Sequence, residues 1–319
     1  MDRFMEELIR ELNIAMKGVF SLVPVKAPKN NDITLSGIRF DRKGEKVSPV
    51  VYVDDYYKAY VEGIATMETI MVSIIKQLTK TQDVDAIVRR LHDYELIKHE
   101  LAFALVNYDI NREILKERLH KKFLDLAAVC LVRVVTDDGA NGIVYVTHNM
   151  LKAWKIDEDT LFEQCMKNTL CREKHEILDI RDVVEKRPMC AEEEFGREIL
   201  VNILGEDRRY MFVLTNETRH MGANALLNQN ILHNFAMEHD SNLIIYPSSL
   251  HEVIIVFEED FKAGCMDAEM VKMINEEQVY REEWLSNSVY MYDRELEKLV
   301  VYQQGEPLCS NVEAERMAS

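Results

Sequence analysis

Between Leu243 and Phe257 the chain reads LIIYPSSLHEVIIVF, and here side chains able to do chemistry crowd together. Ser248, Ser249, His251 and Glu252 form a polar island between two β-branched-rich apolar runs. A hydroxyl, an imidazole and a carboxylate are the parts of nucleophilic hydrolysis: serine attacks, histidine takes its proton, and an acid orients the ring. On an extended strand Ser249 and His251, two positions apart, share a face, while Glu252 points to the other. A Ser–His contact is then open to the island, but Glu252 cannot orient the same imidazole locally. The glycine-flanked serine of a nucleophile elbow is absent. The alternative is structural: Pro247 and two serines make a turn whose hydroxyls satisfy backbone amides, with His251 at the edge of a sheet.

Other polar residues are candidates to join the island or to bind a ligand separately. His148 and Asn149 precede Trp154 at an expected helix start, where Asn149 suits the N-cap and the first turn can hold an anion. Asn216 and Asn224 are further candidate binding residues, as side chains a fold could carry to His251. For a metal, His220, His233, His239 and His251 fall close in sequence, with Glu238 and Asp240 nearby. The spacing between His233 and His239 puts them on different helix faces, unlike the i, i+4 histidines of a zinc helix. His92 and His99 share a face but stand two turns apart, too far for one ion. No metal and no cofactor is expected. No phosphate-binding glycine loop occurs, and the chain has only 11 glycines. The tyrosines at 52, 56, 57 and 60 read as a packing face of a helix on the first sheet.

Composition bounds the partners. There are 39 basic against 56 acidic residues, a net charge of −17. Such a chain repels phosphate backbones and anionic lipid, so neither nucleic acid nor a membrane surface is an expected partner. Six cysteines include no C-x-x-C pair, which fits free thiols in a reducing compartment. The acidic start, Met1-Asp-Arg-Phe-Met-Glu-Glu, lacks the pattern of a secretion signal. No run approaches the roughly 18 apolar residues of a membrane span. The expectation is a cytoplasmic protein.

The elements that must position these residues follow from periodicity and turn signals. A helical stripe over residues 2–16, with Asp2 as cap, leads into strands at 19–25, 33–40 and 50–53, with a bulge at Gly37. Asp54 or Asp55 caps a helix ending near Gly63, and a second helix covers 67–78. One helix is expected over 83–99, a strand over 102–107, and one long strand over 123–135 returning through a hairpin at 143–147. Asp157 caps a helix to about residue 170. Beyond a charged linker over 185–207, the pattern gives strand 210–214, helix 226–239, strands 243–246 and 253–257, a helix near 267–277, and a hairpin of 288–292 with 298–302. Hairpin-linked strands with interspersed helices give an α+β fold with antiparallel sheets. The expected division is 1–185, 186–303 and a disordered tail 304–319.

Several segments resemble the domain-of-unknown-function family 5688 of anaerobic Firmicutes. They are Lys29-Asn-Asn31, Leu35-Ser-Gly-Ile38, Ser48-Pro-Val-Val-Tyr-Val53 with Tyr57 and Tyr60, Val106-Asn-Tyr108, Phe123-Leu-Asp-Leu-Ala127, and His148-Asn149 with Trp154. Later come Val213-Leu-Thr-Asn216, Gly222-Ala223, Pro247 to Val253, Asn275, Leu285-Ser286 and Val289-Tyr290. The resemblance spans nearly the whole chain in order. It implies a bacterial origin and brings no catalytic residue with it. With no complete catalytic motif, the expected function is binding, as a non-catalytic interaction or regulatory protein with a protein or small-molecule partner. The alternative is a hydrolase at Ser248, Ser249, His251 and Glu252.

Overall fold

The computed structural model describes residues 1–44, 48–79, 84–135, 141–185, 211–247, 249–262 and 279–302. The expected tail, the charged linker after residue 185, the helix near 267–277 and Ser248 lie outside them. The fold is α+β, and its strand pairs are antiparallel. Two compact units divide it, 1–97 with 134–142, and 98–133 with 143–319. They separate near residue 97, whereas the expected division lay at 185.

The first unit opens with α1 (Asp2–Ala15), whose stripe of Phe4, Met5, Leu8 and Leu12 is buried. It packs with Ile38, Phe40 and Val51 of the strands, Val53 just after them, and Ile70 and Ile74 of a later helix into one core. Strands β1 (Ser21–Pro28), β2 (Thr34–Asp41) and β3 (Val50–Tyr52) form a sheet in that order. The register runs through Val25↔Gly37 unbroken, so the expected bulge at Gly37 is absent. Glycine stands there because an added Cβ would meet Val50 Cγ1 at 2.9 Å and the Val51 carbonyl at 3.1 Å. Helices α2 (Asp54–Val61) and α3 (Met67–Thr79) follow. Val53, not an aspartate, occupies the α2 cap position. Asp54 instead accepts from the Ser36 amide at 2.8 Å, tying helix to sheet. Tyr57 and Tyr60 pack on Phe4. The long helix expected over 83–99 is broken into α4 (Val84–Leu91) and α5 (Tyr94–Ile97), because the Asp93 carboxylate captures the Glu95 amide between them.

The second unit holds two sheets. Strand β4 (Leu101–Asn107) pairs with β6 (Leu126–Val135), which also pairs with β5 (His120–Phe123) and β7 (Asn141–Tyr145). The run expected as one strand from 123 to 135 is thus a hairpin end plus a strand. Leu124 takes a left-handed φ of 55°, which turns the chain where hydrophobicity alone shows no break. Short helix α6 (Arg112–Leu115) fills the link before β5, and α7 (His148–Trp154) and α8 (Glu158–Cys171) follow β7. Asp157 caps α8 as expected, its carboxylate accepting from the Thr160 amide at 2.8 Å.

The six-stranded sheet runs β13-β12-β10-β11-β9-β8. Its members are β8 (His175–Asp179), β9 (Met211–Asn216), β10 (Leu243–Tyr246), β11 (Val253–Phe257), β12 (Tyr290–Asp293) and β13 (Lys298–Val301). Helices α9 (Ile180–Glu185), α10 (Gln229–Glu238) and α11 (Glu258–Lys262) connect them. The expected helix over 226–239 begins as a 3-10 turn, Gly222–Leu227. At the start of β12 the hydroxyls of Ser286, Ser288 and Tyr290 all donate to the carboxylate of Asp125, in the β5–β6 turn. Among the described residues no helix is long and apolar enough to cross a membrane.

Candidate functional site

The β8–β9 register sets His175 opposite Asn216. One strand over, β11 begins at Val253, directly after the polar island. The island, the end of β9 and the start of β8 therefore meet at one end of the six-stranded sheet. Thr215 fixes the junction, its hydroxyl donating to the His251 carbonyl at 2.8 Å.

From Ser249 to Glu252 the island does not continue a strand. Ser249 makes an isolated bridge to Trp284, and its Oγ accepts from the His251 backbone amide at 3.0 Å. The extended geometry that would set Ser249 and His251 on one face is therefore absent. The His251 ring is engaged on both sides. Its Nδ1 accepts from the Met221 amide at 3.2 Å, and its Nε2 faces Glu283 Oε1 at 3.4 Å. Glu252 adds only a nearby negative charge to that ring.

Met221 belongs to the loop between β9 and the 3-10 turn. Arg219 and Met221 there both adopt left-handed φ, at 51° and 54°. Non-glycine residues pay for that conformation, and it persists only where the surroundings over-determine it. Here they do. The Asn216 side chain accepts from the His220 amide at 3.3 Å and donates to the His220 carbonyl at 3.1 Å. Gly222 closes the loop against β9. A Cβ there would lie 2.2 Å from Thr215 Oγ1 and 2.4 Å from the His251 carbonyl. Gly222→Ala is expected to cost about 1–3 kcal/mol through forced backbone movement. A urea denaturation midpoint unchanged from wild type would contradict that expectation.

Beneath the loop is a half-buried ionic network. Arg133 of β6 donates to Glu173 Oε1 from Nη2 at 2.8 Å and from Nε at 3.1 Å. Glu173 Oε2 accepts from Asn224 at 2.9 Å and from Asn216 at 3.3 Å. Arg133 also reaches the His220 carbonyl at 3.4 Å. Burial pushes the Glu173 carboxyl upward, but His175, Arg133 and Asn224 outweigh it and hold the group below its ordinary value. At 3.9 Å, His175 acts on Glu173 as a neighbouring polar group and not through a direct hydrogen bond.

Two imidazoles crown the network, His220 and His251, with ring centroids 5.5 Å apart. Desolvation lowers the His220 pKa, and the positive charge shared by His251 and Arg133 lowers it further. His251 is raised, chiefly by its bond to Glu283, against a desolvation that lowers it. The Met221 amide resists that rise, since a protonated Nδ1 cannot accept from it. A histidine raised in the fold contributes stability below its ordinary value of 6.5, lost as pH rises through the folded value. In an NMR titration, Glu283→Gln is expected to bring the His251 midpoint down. A midpoint that stays where it was would show that Glu283 is not the cause.

Of the residues singled out in the sequence, Ser249, His251, Asn216 and Asn224 belong to this region, and Ser248 lies outside the described residues. His148 and Asn149 stand elsewhere, in the first turn of α7. There Thr147 takes the cap position expected for Asn149, and His148 is 3.8 Å from Glu158. His239 packs among Phe212, Phe235 and Phe257. Among the described residues no group of three His, Cys, Asp or Glu side chains could hold a metal ion. The residues that sequence reading missed are Arg133, Glu173, His175 and Glu283. Each is a lone charged or polar residue at the end of an element, with no motif around it.

The model of a family described as a family of unknown function (DUF5688) matches residues 1–294. No curated protein and no solved structure matches the chain.

Proposed function

We propose, since the chain belongs to the DUF5688 family of unknown function, that this protein works by binding and does no chemistry of its own at the island. The observation that carries this reading is the engagement of the island's groups within the fold. Both ring nitrogens of His251 and the Ser249 oxygen face protein groups, and no hydrogen bond joins Ser249 to the His251 ring among the described residues. A serine hydrolase needs that nucleophile–base contact. The Arg133–Glu173 network and the two strained loop residues serve instead to present a fixed surface around His220. Its ring nitrogens make no hydrogen bond among the described residues. A neutral imidazole there offers one donor and one acceptor to a partner.

We read the protein as bacterial and cytoplasmic. The free thiols of Cys130, Cys165 and Cys171 support a reducing compartment. The net charge of −17 favours partners other than nucleic acid and anionic membrane. Two experiments bear on the reading. Generic ester, peptide and phosphoester substrates are expected to show no turnover that depends on Ser249 or His251. Wild-type turnover abolished in both Ser249→Ala and His251→Gln would establish the hydrolase instead. Affinity capture from the native host is expected to retain a partner on the wild-type chain that His220→Ala releases. Equal capture by both chains would move the binding surface elsewhere.

A further inference from the structure

The peptide plane between His220 and Met221 is held at both ends. Its N–H donates to His251 Nδ1 at 3.2 Å. Its carbonyl, on His220, accepts from Asn216 at 3.1 Å and from Arg133 at 3.4 Å. A backbone N–H can only donate, so while that bond stands Nδ1 carries no proton and the ring is neutral. Met221 meanwhile adopts a left-handed φ of 54°, which its β-carbon disfavours.

The charges around the ring favour the other state. Glu283, in a 3-10 turn over Arg281–Glu283, stands 3.4 Å from Nε2. Glu252, next in the chain, adds a second negative charge. His220, with its ring centroid 5.5 Å away, is itself held below its ordinary value and stays uncharged at neutral pH. A proton is thus drawn to a ring whose Nδ1 is occupied by a donor.

One rearrangement resolves the conflict. Turning the rigid peptide plane through half a turn sets the His220 carbonyl, in place of the Met221 amide, against Nδ1. The same rotation carries Met221 out of the left-handed region into negative φ. We infer that the His220–Met221 peptide is a pH-driven switch: its N–H faces a neutral His251, and its carbonyl faces a protonated one. The flip gives up the Asn216 and Arg133 bonds to the carbonyl, and a charge-assisted bond from Nδ1–H replaces them. Protonation and the flip favour one another by the same factor, as linkage requires. The movement stops at Gly222, which lies tight against Thr215, and at Ala223, whose amide donates to the Leu250 carbonyl at 3.1 Å. The backbone that carries His220 is redirected, so the surface around it differs above and below the titration. The switch stands on the loop alone, whether or not a partner docks at His220.

Crystal structures of the full wild-type chain at about pH 9 and about pH 5 bracket the ordinary histidine value. The alkaline structure is expected to keep the Met221 N–H on Nδ1 and a positive Met221 φ. The acid structure is expected to show the His220 carbonyl within about 3.2 Å of Nδ1 and a negative Met221 φ. In solution, NMR is expected to show protection of the Met221 amide against hydrogen exchange falling about tenfold, with the midpoint of the His251 ring. His251→Asn keeps an acceptor oxygen where Nδ1 stands and cannot be charged, so its Met221 amide should stay protected throughout. The inference is overturned if the ring titrates while the peptide and its protection stay unchanged. A ring still uncharged at the acid end, or a wild-type loss of protection in His251→Asn, overturns it as well.

Discussion

Replacing Glu173 with alanine is expected to cost about 2–3 kcal/mol, below the roughly 3–5 kcal/mol of breaking one side of a fully buried ion pair, because both side chains keep some contact with water. Glu173 and Arg133 side chains are only 14 % and 23 % exposed. Without the carboxylate, the guanidinium keeps its desolvation cost and loses two charge-assisted bonds, while Asn216 and Asn224 lose an acceptor. Glu173→Gln keeps the volume and one acceptor oxygen, so its loss should be smaller. Removing both charges together, as Arg133→Met with Glu173→Leu, should cost less than the alanine variant alone, because no stranded charge remains. The pH dependence separates this from simple cavity formation. Because the Glu173 carboxyl is held low in the fold, its stabilisation is present above the ordinary value of 4.5 and is lost as pH falls through the folded value. Urea unfolding of wild type should therefore weaken over that acid range, with the slope reduced in Glu173→Gln. An alanine variant less than about 1 kcal/mol below wild type would mean that the network is not holding the loop.

Much of the architecture was legible before the structure, and the failures share a physical origin. Strands 243–246 and 253–257 and helix α1 announce themselves through apolar period, because packing against a core imposes that period. The chain turns at Leu124 by left-handed backbone on an apolar residue, and composition carries no trace of such a turn. Strand β8 was missed because HEILD mixes polar and apolar residues on an edge of the sheet. The island stands out in the sequence, and Asn216 and Asn224 lie beside it in the fold. Its partners do not stand out, because Arg133, Glu173, His175 and Glu283 come from three separate places in the chain. A lone glutamate before a strand looks like solvent-facing charge until the fold buries it. The face argument for Ser249 and His251 failed locally: a serine free to bond its own backbone two residues on makes a turn, and strand periodicity ends where that bond begins.

Asp125→Ala is expected to cost about 4 kcal/mol, since hydrogen bonds to a charged group contribute roughly 1.5–3 kcal/mol each and do not simply add. Three hydroxyls depend on this carboxylate. Ser286 donates at 2.6 Å, Ser288 at 2.8 Å, and Tyr290 through its phenol. Ser286 and Ser288 lie in the loop before β12, where the Ser286 oxygen also accepts from the Ser288 amide at 2.9 Å, and Tyr290 opens the strand. Ser286 and Tyr290 are buried, and water cannot replace the lost acceptor there. The carboxylate in turn joins the β5–β6 turn to the start of β12, so its loss should loosen both. Asp125→Asn keeps one acceptor but presents an amide nitrogen with no acceptor lone pair to the remaining donors, and it should recover only part of the loss. Alkaline pH supplies an independent reading. Burial, and then the Asp125 charge, push the Tyr290 phenol well above its ordinary value of 10.0. Above that value the unfolded chain releases a proton that the folded chain retains, so stability falls as pH rises. Tyr290→Phe should flatten that alkaline fall while lowering stability at neutral pH. If Asp125→Ala unfolds at the wild-type urea midpoint, or if Tyr290→Phe keeps the full alkaline slope, the carboxylate is not the clamp between the two sheets of this unit.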